Sequence, residues 1–111
     1  MEESQAIEAF SALSEATRLK MLRYLVQQGP TGAPAGQISE SVGASSSRAS
    51  FHLAALTRAG LLTSTKQSRQ VIYRANFAGL GALLVYLMED CCGGHPDVMA
   101  CCGPDSQCKE E

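Results

Sequence analysis

The segment VGASSSRASFHLAALTRAGLL, residues 42–62, decides the fold of this chain. Gly43 ends one short helical pattern, and the serines at 45–47 that follow it are favoured N-cap residues for a second helix. The second pattern runs to about Ala59, and Gly60 closes it. Its apolar stripe consists of Ala49, Leu53 and Leu56. Two short helices joined at a glycine, the second with a polar outer face, are typical of a helix-turn-helix unit.

Two amphipathic helices are predicted before this unit. The first covers residues 4–13, and Ser14 is then placed to cap the second, which Gly29 and the following proline end. Apolar spacing predicts the side chains that face the core, namely Ile7, Phe10 and Leu13 in the first helix and Leu19, Leu22, Leu25 and Val26 in the second. A loop over residues 31–34 leads to a short helix at residues 35–42.

Behind the helix-turn-helix unit the pattern changes to that of strands. β-branched and aromatic residues at 61–65 and 70–74 flank four polar residues, so the sequence predicts a hairpin that forms the wing of a winged helix. Asn76 can cap a last helix over residues 77–88, which is apolar on every side. A short domain buries only a modest core, so we expect this helix to pair with that of a second copy. Simple core packing is the alternative.

Charge is distributed unevenly along the chain. The 111 residues carry a formal net charge of −2 at pH 7, which by itself argues weakly against a nucleic-acid partner. However, the five basic residues between Ser45 and Arg74 have no acidic residue among them, and all the acids except Glu40 lie toward the two ends. Such a local basic segment favours binding to a polyanion such as DNA. A merely solvated basic face is the alternative.

Other classes of protein are disfavoured by the sequence. The first residues, MEESQAIEAF, lack the basic start and the apolar run of a signal peptide. The most apolar stretch, residues 77–88, is too short to span a membrane, so we expect a cytoplasmic protein without a membrane partner. Because no Ser-His-Asp, phosphate-loop or paired-acid pattern is evident, we do not expect an enzyme.

All five cysteines lie near the end of the chain, in CCGGHPDVMACCGPDSQC, residues 91–108. In a reducing cytoplasm, clustered thiols are more often metal-binding or catalytic than disulfide-bonded, and five is an odd number for a disulfide framework. Thiolates are soft ligands that select soft ions. Zinc sites usually separate paired cysteines by two or more residues, which fits these adjacent pairs poorly. A soft-ion site, a zinc site and an oxidisable dithiol therefore all stay open.

Three motifs resemble those of the ArsR/SmtB family of bacterial metal-responsive repressors. FSALSEATRLKMLRYL, residues 10–25, is similar to the family's opening helix signature, the serine-rich segment to its recognition helix, and TKQSRQVIYR, residues 65–74, to its wing. The resemblance covers residues 4–86 with the spacing between the motifs intact. Two features depart from it. Ser68 stands where the wing turn commonly has glycine, and the helix at 35–42 lacks the cysteines of the best-known arsenic sensors.

The resemblance implies a homodimer that binds double-stranded operator DNA. The recognition helix would face the major groove, Arg48 and Arg58 would face the groove or its phosphates, and the wing would reach the backbone or the minor groove. The residues expected to contact DNA are Ser46, Ser47, Arg48, Ser50, Phe51, His52, Arg58, Lys66, Gln67 and Arg69.

The segment YLMEDCCGG, residues 86–94, resembles a subgroup that binds trivalent arsenic through cysteines after the last helix. This implies As(III), Sb(III) or methylarsenite as inducer. It also implies a DNA-binding and dimerisation domain at 1–90, followed by a sensing tail at 91–111. The expected ligands are Cys91, Cys92, Cys101 and Cys102. A repressor that responds to Cd(II), Pb(II) or Zn(II) and a thiol carrier of soft metals are the alternatives.

Overall fold

A helix-turn-helix unit lies at the centre of the fold, with two helices before it and a small sheet and a last helix after it. The computed structural model describes residues 1–88. The elements are α1 (Glu3–Leu13), α2 (Ala16–Gln28), a 3-10 turn (Gly29–Thr31), β1 (Ala33–Pro34), α3 (Ala35–Val42), α4 (Ser46–Arg58), β2 (Leu62–Gln67), β3 (Gln70–Ala75) and α5 (Phe77–Tyr86). They confirm the predicted mainly α fold with a β-hairpin, a winged helix-turn-helix.

The core forms where α2, α3 and α4 meet the start of the hairpin. Its most deeply buried large side chains are Met21, Leu25, Ile38, Leu53, Leu56 and Leu61. Ser45 is the N-cap of α4, and its Oγ accepts a hydrogen bond from the Arg48 backbone N–H at 3.3 Å. Gly43, with a φ of 70°, ends α3 in the left-handed conformation that favours glycine. Each buried leucine contributes about 2 kcal/mol, so the apolar stripe fixes the rotation of α4 about its axis.

The sheet has three antiparallel strands in the order β1-β3-β2. The hairpin register pairs Gln67 with Gln70, which leaves Ser68 and Arg69 as a two-residue turn. Ser68 has a φ of 56° and is the only non-glycine residue with a positive φ within residues 1–88. The strand β1 lies in the stretch predicted to be a loop. It is two residues long, too short to give an alternating apolar pattern.

The helix α1 turns its small side chains, not its large ones, toward the rest of the domain. Ala6, Ala9 and Ala12 are buried, whereas Ile7 is 58% exposed and Phe10 is 42% exposed. The prediction that the large side chains face this chain's core is therefore wrong for Ile7 and Phe10. Alanine allows α1 to pack closely on its neighbours, and this leaves the large apolar side chains on the outside.

The helix α2 also differs from its predicted orientation. Met21, Leu22 and Leu25 are buried, but the predicted stripe members Leu19 and Val26 are both more than 40% exposed. The N-cap of α2 is Glu15 rather than Ser14, because the Glu15 carboxylate accepts a hydrogen bond from the Arg18 backbone N–H at 3.0 Å. The Ser14 hydroxyl instead donates to the Ser11 carbonyl at the end of α1.

The last helix, α5, is capped as predicted and is largely uncovered. The Asn76 side chain accepts a hydrogen bond from the Gly79 backbone N–H at 3.1 Å. Leu83 is the one residue of α5 whose side chain is buried, while the side chains of Phe77, Leu84 and Val85 are about half exposed. Within residues 1–88, no helix has both the length and the apolar character that crossing a membrane requires.

Gly32 provides a test of how the 3-10 turn packs against the sheet. Gly32 and Gly29 have nearly the same backbone conformation, with φ of 68° and 65° and ψ of −162° and −146°. A Cβ at position 32 would overlap the Tyr73 carbonyl oxygen and lie 2.6 Å from Arg74 Cγ, whereas one at position 29 has no neighbour within 4 Å.

We predict that Gly32→Ala lowers the free energy of unfolding by about 2 kcal/mol more than Gly29→Ala does. Both variants incur backbone strain, but only the first also forces neighbouring atoms apart. Urea unfolding of the two variants and the wild type measures the difference. Equal losses would show that the turn does not approach β3 as closely as the structure describes.

Candidate nucleic-acid interface

The helix α4 has a buried side and an exposed side. Ala49, Leu53 and Leu56 point into the core. The exposed side carries small polar residues at its N-terminal end, together with one large aromatic residue and one cation. The exposed residues there that were predicted to contact DNA are Ser46, Ser47, Arg48, Ser50 and Phe51. Together they form a polar, positively charged surface at the end of the helix that reads base edges in helix-turn-helix proteins.

The tip of the wing is also exposed and basic. Lys66, Gln67 and Arg69 are all solvent-exposed around the Ser68 turn. A cleft of about 360 Å³ separates the wing from the helices, and its lining includes Arg69 from the wing and Ser50 from α4. The wing and α4 therefore border one continuous surface, although they are far apart in sequence.

Arg58 lies apart from this surface. It is exposed near the C-terminus of α4, about 18 Å along the helix axis from Ser46 at 1.5 Å per residue. It lines a small cavity together with Glu8 and Ser11 of α1. The structure therefore brings Arg58 close to an acidic side chain rather than to the wing, and its contact with DNA stays a prediction.

The structure buries His52 instead of placing it on the exposed side of α4 with the other predicted contacts, and its contact with DNA stays a prediction. His52 is only 7% exposed, because it lies on the edge of α4 that packs against the start of α2. Its Nδ1 accepts a hydrogen bond from Arg18 Nε at 3.0 Å. Arginine has no acceptor atom, so this bond requires a ring without a proton on Nδ1. The remaining nitrogen, Nε2, lies 4.0 Å from Glu15 Oε1.

Sequence reasoning missed two members of the resulting Glu15–Arg18–His52 cluster. The hydrogen bond from the Arg18 backbone N–H holds the pKa of Glu15 below its usual value, and this effect outweighs the opposing effect of desolvation. The Arg18 guanidinium carbon also lies 5.6 Å from the centroid of the Phe51 ring. The sequence places Glu15 and Arg18 at the start of α2, but nothing in its periodicity connects either of them to His52.

The described part of the chain contains no candidate metal site. Within residues 1–88, the structure contains no group of three or more His, Cys, Asp or Glu side chains that could hold a metal ion. The predicted ligands Cys91, Cys92, Cys101 and Cys102 lie outside the described residues, so their role stays a prediction.

Comparisons with known proteins agree with this geometry. A model of a helix-turn-helix domain family matches residues 13–65. No curated protein matches the chain. Among solved structures, an ArsR-like transcriptional regulator from Rhodococcus sp. RHA1 is 28% identical, with a TM-score of 0.72, over 87% of this chain and 89% of its own.

Two other solved structures extend the comparison. The homodimeric winged helix-turn-helix DNA-binding domain of a possible ArsR-family regulator from Mycobacterium bovis is 24% identical and has the same fold. Its TM-score is 0.61, over 78% of this chain and 84% of that one. A possible transcriptional regulator for arsenical resistance is 31% identical over 75% of this chain and 82% of its own, with a TM-score of 0.63. The chain therefore belongs to the ArsR family of winged helix-turn-helix transcriptional regulators.

Proposed function

We propose that this regulator is a homodimeric repressor that leaves its operator when trivalent arsenic binds its C-terminal cysteines. The observation that carries the DNA-binding part is the shared surface of α4 and the wing, built from a segment with five basic residues and no acidic one. Since a repressor acts where the chromosome lies, we place it in the cytoplasm.

Each part of this surface has its own role on the duplex. The small side chains Ser46, Ser47 and Ser50 allow α4 to enter the major groove and can donate hydrogen bonds to bases. Exposed cations such as Arg48 and Arg69 neutralise phosphates, which supplies most of the affinity that does not depend on sequence. His52 is absent from this set, because its side chain links α4 to α2.

Arg69 tests the role of the wing. We predict that Arg69→Ala weakens binding to operator and to unrelated DNA alike. A plot of log affinity against log salt concentration should become less steep by about 0.9, the contribution of one phosphate contact. Fluorescence anisotropy over a range of salt concentrations measures both effects. Arg23→Ala, which removes an exposed cation of α2 outside the basic segment, is the matched control and should leave the slope unchanged. Coinciding slopes for wild type and Arg69→Ala would contradict a phosphate contact by the wing.

The dimer proposal rests on apolar side chains that this chain leaves uncovered. On α1 and α5, Ile7, Phe10, Phe77, Leu84 and Val85 are 42–58% exposed, although α5 contains no charged residue that would suit it to solvent. The structural relative from Mycobacterium bovis is described as homodimeric. Burying these side chains against a second copy removes them from water and places two recognition surfaces on one particle.

Leu84 tests this interface. Leu84→Glu would bury an unpaired charge between the subunits, which costs several kcal/mol, so we predict a monomer or an aggregate that does not bind the operator. Sedimentation velocity at micromolar concentration measures the assembly. Gln27→Glu adds the same charge to an exposed position of α2 and should remain a dimer. A wild-type protein that sediments as a monomer would contradict the proposal directly.

The sensing proposal rests on the thiol cluster and on its place in the chain. Cys91 and Cys92 follow five and six residues after Tyr86, the last residue of α5, which is the helix that we place in the dimer interface. Neighbouring side chains diverge by about 100° on a helix, so one ion can use both sulfurs only where a helix ends, and Gly93 and Gly94 favour such an end. We place the third sulfur at Cys101 or Cys102. Ligand binding there can release DNA only if the ion prefers the dimer that is not bound to DNA.

We predict that Cys91→Ser or Cys92→Ser abolishes release by As(III) and leaves operator affinity nearly unchanged, because a hydroxyl cannot replace a thiolate toward a soft ion. Release is measured by anisotropy while As(III), Sb(III), methylarsenite, Cd(II), Pb(II) or Zn(II) is titrated into the protein–DNA complex. Cys108→Ser is the control and should respond as the wild type does.

The same titration separates the alternatives. Release by Cd(II), Pb(II) or Zn(II) but not by As(III) would identify a divalent-metal sensor of the same fold. Normal release of the Cys91, Cys92 double variant by As(III) would show that the sensing site lies elsewhere.

A further inference from the structure

Phe51 is an unusual residue for the surface on which it lies. It is 62% exposed, more than any other large apolar side chain within residues 1–88. Of its exposed neighbours on α4, Ser47, Ser50 and Ala54 are small, so the phenyl ring protrudes beyond them, and the fourth is the cation Arg48. An exposed aromatic ring in a polar, basic surface gains free energy only when a partner removes it from water.

Two contacts hold the ring before any partner arrives. The Arg18 guanidinium lies over one face, 5.6 Å from the ring centroid, and the His52 ring meets Phe51 in an edge-on arrangement at 5.6 Å and 65°. Arg18 is itself fixed by its hydrogen bond to His52. Phenylalanine has only two side-chain torsions, and these contacts restrict them before binding. The side chain therefore loses less conformational entropy when a partner binds. The ring is therefore preorganised at the surface.

The chemistry of the surroundings indicates the partner. Arg18 lies over the ring, and the exposed Arg48 precedes Phe51 by three residues on α4. The segment from 45 to 74 contains no acid, which favours a polyanion over an apolar protein surface. In the major groove, base edges display hydrogen-bond donors and acceptors, and the one projecting apolar group is the C5-methyl of thymine. We propose that Phe51 reads a thymine methyl in each half-site of the operator and that Arg18 is its positioning residue. This inference rests on the proposed entry of α4 into the major groove.

The test removes one methyl group at a time from the DNA. An operator is first selected from random duplexes with the full-length protein, and each thymine is then replaced by deoxyuridine, which lacks only the methyl. We expect one position in each half-site where this replacement weakens wild-type binding about fourfold, the value of one buried methyl group. Phe51→Ala should bind the parent operator more weakly and should show no further loss at that position.

Two variants separate contact from general effects on the helix. Ser47→Ala changes the same surface but leaves the ring in place, so it should keep the fourfold methyl effect even where it lowers the overall affinity for the operator. Arg18→Lys retains the charge but cannot hold His52 in the same geometry, so it should reduce the methyl effect while leaving the salt slope unchanged.

The outcomes distinguish this inference from the proposed function. An operator bound with no thymine sensitive to loss of its methyl overturns the inference and leaves the DNA-binding function standing, as does a Phe51→Ala variant that retains the full methyl effect. If no duplex is selected at all, the proposed function fails and the inference fails with it.

Discussion

The packing of α4 against α2 and α3 is the constraint on which the rest of the structure depends. Leu53 and Leu56 are completely buried, together with Met21, Leu25 and Ile38. Once these five side chains are buried, the rotation of α4 has no remaining freedom, and its serine-rich side must face outward. The reading surface is thus a consequence of the core, because the same apolar stripe that stabilises the domain selects which residues remain available to DNA.

The burial of several side chains differs from what the sequence predicts, and each difference has a physical reason. His52 is buried as an acceptor for Arg18, which satisfies a polar group that would otherwise cost free energy in the interior. Ile7 and Phe10 remain outside because alanines provide the contacts of α1 within the domain. The buried His52 joins α4 to α2 through its hydrogen bond with Arg18. The exposed Ile7 and Phe10 form part of the apolar surface from which we infer a second subunit.

Much of this architecture could be predicted from the sequence, and the failures share one cause. The bounds of α3 and α4, the hairpin and the Asn76 cap follow from local patterns of glycine, serine and alternating residues. Apolar periodicity, however, shows that a helix has an apolar side without showing what covers it. Apolar spacing therefore predicts core positions for Leu19 and Ile7, which are both exposed in the structure. The orientation of His52 likewise depends on Arg18, 34 residues earlier in the chain, and no local pattern records that contact.

We propose that two copies of this chain present their α4 helices to one face of DNA. Hydroxyl-radical footprinting on a selected operator tests it most directly. Paired recognition helices about 34 Å apart should protect two symmetric regions whose centres are about 10 base pairs apart. A single protected region, or two regions at a spacing that is not a whole number of helical turns, would contradict the account.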